Sequence, residues 1–160
     1  MPLNAGGSRW PAAPAATLLS ERTWCTMADV DAAGIIYFTS ALRWAERLST
    51  SWFRTLGHPY TRLFAEGIAT PAVNAQADYR SHVTLDDEIR LDLWTSHIGT
   101  SSYTLTCEIF VADSDIAAVD TRITHVYTRY TRPQLDRTDV PTRPQPLPDW
   151  LREGLEVGLR

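Results

Sequence analysis

Apolar residues between positions 40 and 56 recur with the spacing of an α-helix. Four of them follow one stripe at intervals of three or four residues: Ala41, Ala45, Leu48 and Trp52. Four more widen that stripe: Leu42, Trp44, Phe53 and Leu56. Because a surface helix has a narrower apolar face, this pattern predicts a helix that is largely enclosed by the rest of the domain.

The residues on either side of this segment are typical of helix ends. Thr39 or Ser40 supplies a hydroxyl for the N-cap, where a side-chain oxygen can accept a hydrogen bond from a free backbone N–H. Gly57 and Pro59 follow the last apolar position, and these residue types commonly end a helix. We therefore predict one long helix from Ser40 to Leu56.

Alternating apolar and polar residues predict strands in most of the remaining chain. The two clearest runs lie at 89–94 and 102–111, and we expect them to form a hairpin through residues 97–101. Other extended segments are predicted at 21–27, 68–80 and 116–130. The order β-α-β-β-β-β indicates an α+β domain, in which a five-stranded antiparallel sheet wraps one long central helix.

Three regions differ in composition along the 160 residues. Residues 1–19 are rich in Ala, Pro and Gly, and we predict a disordered N-terminal tail there. Residues 20–132 carry the helix and the strands and form the predicted domain, which is long enough to bury a core without a disulfide. Residues 133–160 are a Pro-rich C-terminal extension, with a short helix predicted at 149–159.

The composition narrows the classes of partner that we expect. A hydrophobic fraction of 44% is typical of a globular domain, and no apolar run reaches the roughly 18 residues of a membrane span. The net charge of -4 does not favour nucleic-acid binding, which requires a basic surface. Cys25 and Cys107 form no CxxC pair, so we expect buried thiols and a cytoplasmic location, with no nucleic-acid or membrane partner.

Several catalytic and cofactor-binding motifs are absent from the sequence. It contains no GxSxG elbow, P-loop, GxGxxG or HExxH motif. The four histidines are too dispersed to predict a zinc cluster: they are His58, His82, His97 and His125. We therefore predict no metal and no cofactor.

Residues 29–38, followed by 42–47 in the helix, resemble the signature of the hot-dog-fold thioesterases of the 4-hydroxybenzoyl-CoA thioesterase family. Four further segments resemble sheet segments of that family and extend the resemblance over about residues 21–132. They lie at 78–80, 86–88, 99–102 and 107–109. The resemblance implies a hot-dog fold, in which the sheet curves around the helix. It also implies a dimer whose two sheets are continuous and whose active sites are shared between the subunits.

Within this motif, the resemblance assigns Asp31 as the catalytic aspartate and the backbone N–H of Phe38 as the contact of the thioester carbonyl. A free N–H in the first turn of a helix can polarise a carbonyl, and the helix dipole favours a nearby carboxylate. Asp31 would act as nucleophile or as the base that activates water, and both remain open. Ser40 and Ala41 depart from the Asn-Tyr pair of many family members, which leaves the acyl group undetermined.

Each of these assignments has a structural alternative. An aspartate before a helix is often only a turn or capping residue, and this is the alternative for Asp31. Glu46, about two turns into the helix, is the alternative catalytic carboxylate, because a related thioesterase group uses the central helix. Glu46 could equally pair with Arg43 or Arg47.

Seven residues are predicted to bind substrate: Gly34, Tyr37, Ser101, Ser102, Arg80, Arg129 and Arg132. Gly34 supplies backbone freedom in the motif, and Tyr37 is an aromatic residue that can line an acyl pocket. The two serines follow a glycine at a strand edge, where they can bind a pantetheine arm. The three arginines stand near strand ends and can pair with nucleotide phosphates, although surface arginines are commonly only solvated.

The function predicted from the sequence is hydrolysis of an acyl thioester to a free acid and a thiol, without a cofactor. Acyl-CoA and acyl-carrier-protein substrates both remain open, with an aromatic or polyketide-like acyl group favoured. One alternative is a carrier-protein-specific hydrolase that releases chains from a biosynthetic pathway. A second is a non-catalytic hot-dog module that binds acyl groups. A sheet with two free edges predicts a homodimer or a homotetramer.

Overall fold

A computed structural model of the chain describes residues 16–112, 114–129 and 143–160. The helices are α1 (Ser40–Thr55), α2 (Tyr60–Ala65) and α3 (Asp149–Val157). The strands are β1 (Leu19–Trp24), β2 (Ile68–Ala69), β3 (Ala72–Tyr79), β4 (Glu88–Ile98), β5 (Ser102–Val111), β6 (Val119–Val126), β7 (Thr128–Arg129) and β8 (Arg143–Pro144). No helix in these ranges is long and apolar enough to cross a membrane.

The main sheet has five strands in the order β1-β4-β5-β6-β3, and every neighbouring pair is antiparallel. β4 and β5 form the predicted hairpin, with Ile98 opposite Tyr103 at its closed end. A second, small sheet joins β2, β7 and β8. The predicted α+β class and the five-stranded antiparallel sheet are confirmed.

The predicted central helix is confirmed as α1. All four residues of the predicted stripe are buried, and so are Trp44 and Phe53, which widen it. The buried residues of α1 are Ser40, Ala41, Trp44, Ala45, Leu48, Ser49, Trp52 and Phe53. Gly57 follows the helix with φ of +76°, a left-handed conformation that glycine adopts without steric cost. The aromatic ring of Phe53 lies 5.2 Å from Trp52 and 5.0 Å from Tyr60, between centroids, and anchors the end of α1.

Some predicted boundaries were wrong. Leu18 donates its N–H to Leu93 O at 2.7 Å, and β1 begins at Leu19. These last two residues of the predicted 1–19 tail therefore bond to the main sheet. Residues 1–15 of that tail lie outside the described ranges, as do 130–142 of the predicted domain and extension. The predicted terminal helix is present as α3, whereas the short helix α2 was not predicted.

Candidate active site

Residues 29–38 form a tight hairpin that leads into α1. Asp31 donates its N–H to Ile35 O at 2.9 Å and accepts a hydrogen bond on its backbone oxygen from Gly34 N–H at 3.0 Å. Its carboxylate oxygen Oδ1 accepts from Ala33 N–H at 2.8 Å. Gly34 has φ of +74°, as the turn requires. The hairpin therefore holds an exposed aspartate carboxylate at its turn.

The base of the hairpin is held by Asp29, the other aspartate of the motif. Its backbone oxygen accepts from Tyr37 N–H at 2.9 Å and from Ser40 Oγ at 2.8 Å. Its carboxylate accepts from Thr26 N–H at 3.0 Å and Thr26 Oγ1 at 2.7 Å, and lies 3.5 Å from Arg43. Asp29 is buried, and these contacts join the hairpin to Thr26 and to α1.

The start of α1 supplies a backbone donor beside the hairpin. Phe38 O accepts a hydrogen bond from the Tyr79 hydroxyl, which ties this point to the end of β3. Phe38 N–H has no acceptor among the described residues. The N-cap, Thr39, makes no side-chain capping bond, so the first turn of α1 keeps its positive partial charge available. A carbonyl oxygen placed here would be polarised by Phe38 N–H.

A separate cleft of about 580 Å³ lies along the middle of α1. It is lined by residues of α1, α2, β2, β3, β6 and β7 and of the loop before β3: Glu46, Ser49, Thr50, Tyr60, Phe64, Ala69, Thr70, Pro71, Ala72, His125 and Thr128. Glu46 is exposed at this cleft, and its Oε1 accepts a hydrogen bond from Thr50 Oγ1 at 3.1 Å. The two candidate carboxylates therefore belong to different features of the molecule.

The wall of the cleft contains buried polar side chains. His125 Nδ1 lies 3.0 Å from Thr70 O, and the His125 ring stacks on Tyr103 with 5.3 Å between centroids. Tyr60 accepts a hydrogen bond from Thr70 Oγ1 at 3.3 Å. Burial lowers the pKa of His125 and raises the pKa of Tyr60, so both side chains favour their neutral forms. The cleft thus offers neutral hydrogen-bonding groups in a mainly apolar surface.

The hairpin and the cleft lie toward opposite ends of β3 in one chain. We call the end of the sheet at Tyr79 the hairpin end, because Tyr79 contacts Phe38. We call the end at Ala72 the cleft end, because Ala72 lines the cleft and pairs with His125. At about 3.3 Å per residue, the seven steps from Ala72 to Tyr79 span roughly 23 Å.

Comparison with known proteins assigns the family. Residues 25–155 match the family model described as the Thioesterase-like superfamily.

The chain belongs to this superfamily.

It is 27% identical over 130 residues to a 1,4-dihydroxy-2-naphthoyl-CoA hydrolase of Thermosynechococcus vestitus, a match that covers 81% of this chain and 85% of the relative. Two solved structures share the fold. One is a 1,4-dihydroxy-2-naphthoyl-CoA thioesterase from Synechocystis, with a TM-score of 0.72 at 20% identity, over 85% of this chain and 93% of that one. The other is an Asp-to-Asn variant of 4-hydroxybenzoyl-CoA thioesterase in complex with 4-hydroxybenzoyl-CoA, with a TM-score of 0.70 at 16% identity, over 86% and 97%.

The hot-dog fold and the predicted thioester hydrolase activity are therefore confirmed. Of the predicted site residues, this thioesterase brings four together in one hairpin and the helix start: Asp31, Gly34, Tyr37 and Phe38. Ser101 and Ser102 lie at the cleft end, where Gly99 N–H donates to Ser102 O and Tyr127 N–H donates to Ser101 O. In one chain these serines therefore lie toward the opposite end of β3 from the hairpin.

The predicted phosphate-binding arginines of the thioesterase are also separated. Arg80 follows β3 at the hairpin end and forms an ion pair with Asp120. Arg129 is exposed in β7 at the cleft end. Arg132 lies outside the described residues.

The environment of the two cysteines of this thioesterase favours the thiol form over the thiolate. Cys25 and Cys107 are both buried, as predicted. Burial, together with the nearby Asp29 and Asp87 carboxylates, raises the pKa of Cys25 to about 11, and burial raises that of Cys107 further. In the described part of the chain, no group of three or more His, Cys, Asp or Glu residues is arranged to hold a metal ion.

Proposed function

We propose that the protein is an acyl-CoA thioesterase in which Asp31 reacts at the N-terminus of α1. The observation that carries this proposal is the hairpin, which presents an exposed carboxylate and leads directly to the unpaired N–H of Phe38. Thioester hydrolysis needs an oxygen nucleophile and a donor for the carbonyl oxygen as charge accumulates there. The hairpin and the helix start supply one group of each kind.

Two reaction sequences use this pair of groups. In the first, Asp31 takes a proton from water, the hydroxide adds to the carbonyl carbon, the C–S bond breaks, and the CoA thiolate is protonated. In the second, an Asp31 oxygen adds to the carbonyl carbon and expels the thiolate, and water then cleaves the mixed anhydride. Both need an ionised Asp31.

We propose an aromatic acyl group as the substrate. The relative from Thermosynechococcus vestitus and both solved structures are named for hydroxylated aromatic acyl-CoA thioesters. In this chain, Tyr60, Phe64 and Pro71 contribute apolar surface to a cleft of about 580 Å³, which is large enough for a ring system. The acyl chain of a carrier protein would use the same cleft, so the carrier has to be distinguished by experiment.

Thiol release from a panel of thioesters tests the function. The panel contains aromatic and aliphatic acyl-CoA esters, together with the same acyl groups on a carrier protein. We expect release of CoA to be fastest with the aromatic esters. Release from carrier-protein esters alone would support the chain-releasing alternative, and binding without release would support the non-catalytic one.

We further propose a homodimer formed through β3. This strand is an edge of the main sheet, and nearly all of its side chains are exposed, including Val73 at 60% and Tyr79 at 45%. An exposed edge strand is satisfied when a second copy continues the sheet across a twofold axis. Antiparallel pairing of two β3 strands places the hairpin end of one subunit beside the cleft end of its partner. An acyl group in the partner's cleft would then reach Asp31.

The Val73→Asp substitution is expected to dissociate this dimer. Pairing of the two strands would remove water from each new carboxylate in the seam, and this desolvation is costly, so monomer should form at micromolar concentrations. Light scattering measures the mass, and thiol release should fall in parallel because the site is shared. Ile116→Asp, which adds the same charge at a loop residue that is 74% exposed, is the matched control. A wild-type mass equal to one chain at all concentrations would contradict the proposal.

Arg129→Ala is expected to raise KM for acyl-CoA about three- to tenfold and to spare kcat. A phosphate contact is made equally in the ground state and the transition state, so its loss weakens binding alone. KM for the matched acyl-pantetheine ester, which has no nucleotide, should not change. Arg54→Ala, at an exposed position in the last turn of α1, serves as the control. If KM for acyl-CoA is also unchanged, Arg129 is an ordinary surface residue.

A further inference from the structure

The proton on His125 can be assigned from its hydrogen-bond partner. Nδ1 lies 3.0 Å from the backbone oxygen of Thr70, and a carbonyl oxygen can only accept, so Nδ1 carries the proton and donates it. Burial lowers the pKa of His125 below its ordinary value of 6.5, against weaker opposing effects of the hydrogen bond to Thr70 O and of the Glu46 carboxylate. At neutral pH the ring is therefore neutral, and Nε2 is a hydrogen-bond acceptor.

The His125 ring is buried and is held by two contacts. His125 is only 8% exposed, its Nδ1 is held by Thr70, and one ring face stacks on Tyr103 at an interplanar angle of 19°. The residue nonetheless lines the cleft, and Nε2 has no protein partner among the described residues. The acceptor is thus rigid and available to a group that occupies the cleft.

A second polar group of the cleft is the Ser49 hydroxyl. Ser49 is 5% exposed and lines the same cleft, and its buried Oγ neighbours the Tyr60 hydroxyl. A hydroxyl can both donate and accept, so Ser49 can also bond to a polar group of a ligand. Glu46 lines the same cleft and presents a further acceptor in its carboxylate. The acceptors His125 and Glu46 and the hydroxyl of Ser49 together favour a ligand that carries a hydrogen-bond donor.

We propose that His125 is a specificity-determining residue, whose Nε2 accepts a hydrogen bond from a hydroxyl group on the acyl part of the substrate. Ser49 lines the same cleft, and its hydroxyl can donate to the oxygen of the same group. This inference rests on the proposed function, because it assigns the cleft to the acyl group of a thioester substrate. The hydrogen bond to His125 Nε2 would favour hydroxylated acyl groups over their unsubstituted counterparts, whereas an apolar cleft alone would bind both.

The test is the His125→Asn variant with matched substrates. The side-chain amide of asparagine can place an N–H near the position of Nδ1, so the bond to Thr70 O is kept while the acceptor at Nε2 is lost. We expect kcat/KM to fall about tenfold for 3- or 4-hydroxybenzoyl-CoA and to change less than about twofold for benzoyl-CoA. His125→Phe lacks both nitrogens. We expect it to show the same selective fall in kcat/KM for the hydroxylated esters, together with a loss of stability.

Two outcomes would overturn the inference. An equal loss with the hydroxylated and the unsubstituted ester would show that His125 acts only on the structure of the cleft. An unchanged preference for the hydroxylated ester in His125→Asn would show that another residue selects the hydroxyl.

Failure of the proposed function is distinguished by a binding measurement. If no thioester is hydrolysed, calorimetry with free 3-hydroxybenzoate, 4-hydroxybenzoate and benzoate still measures the cleft directly. Tighter binding of a hydroxybenzoate to the wild-type protein, lost in His125→Asn, would support the role of His125 independently of hydrolysis. Equal binding of the three acids would contradict it.

Discussion

Replacing Asp31 with asparagine is expected to lower kcat by about a hundredfold or more while the protein stays folded. The substitution removes the anionic oxygen that either attacks the thioester or activates water. It keeps the side-chain oxygen that accepts the hydrogen bond from Ala33 N–H at 2.8 Å, so the turn of the hairpin is preserved. Steady-state thiol release measures kcat, and circular dichroism with thermal unfolding confirms the fold.

Asp86→Asn is the matched control for this experiment. Asp86 is an exposed aspartate, and its N–H donates to Cys25 O at 2.9 Å, just before the hairpin segment. It has φ of +67°, a conformation that asparagine tolerates. The control loses the same charge close to the hairpin and should keep normal turnover. If Asp31→Asn also keeps normal turnover, the Asp31 assignment is wrong, and Glu46→Gln becomes the decisive variant.

The helix and the sheet could be predicted because their apolar periodicity is long and regular. The stripe of α1 runs from Ala41 to Trp52, about three turns, and the alternation covers residues 89–94 in β4 and all 10 residues of β5. The short elements could not be predicted in this way. α2 has six residues, and β2, β7 and β8 have two each, which is too few to show a period. They are positioned by tertiary contacts instead.

The two parts of the site differ in how far the sequence revealed them. The hairpin is contiguous, so its motif could be recognised from residues 29–38 alone, although the role of Asp31 stays a prediction. The cleft is assembled from six elements and a loop, and no short motif contains it. One signal was present in β6, where Val119, Ile123 and His125 share one face of the strand and are all buried. A histidine that ends an inward-facing apolar alternation marks a polar position inside the domain.

The separation of the hairpin and the cleft has a consequence for the whole enzyme. A single chain presents the hairpin at the Tyr79 end of β3 and the acyl-sized cleft at the Ala72 end. Pairing of two β3 strands, as proposed, brings one hairpin next to the partner's cleft. The monomer would then hold two incomplete half-sites, and the dimer two complete sites. In that arrangement the dimer is needed for catalysis and does more than add stability.

A heterodimer of Asp31→Asn and His125→Asn chains is expected to regain about half of the wild-type kcat/KM for a hydroxylated aromatic acyl-CoA. If each site takes Asp31 from one subunit and His125 from the other, one of the two sites in this heterodimer contains both wild-type residues. Its second site carries both substitutions and is inactive. Co-expression with two different affinity tags, followed by tandem purification, supplies the heterodimer for thiol-release measurements.

The parent homodimers set the baseline for this experiment. Asp31→Asn should retain about a hundredth of wild-type kcat/KM and His125→Asn about a tenth, so a heterodimer without an intact site would show only about a twentieth, the mean of the two. That lower value would mean that each chain supplies both residues to its own site. Pairing through β3 would then have to be abandoned as the arrangement that completes the site, because it predicts the higher value.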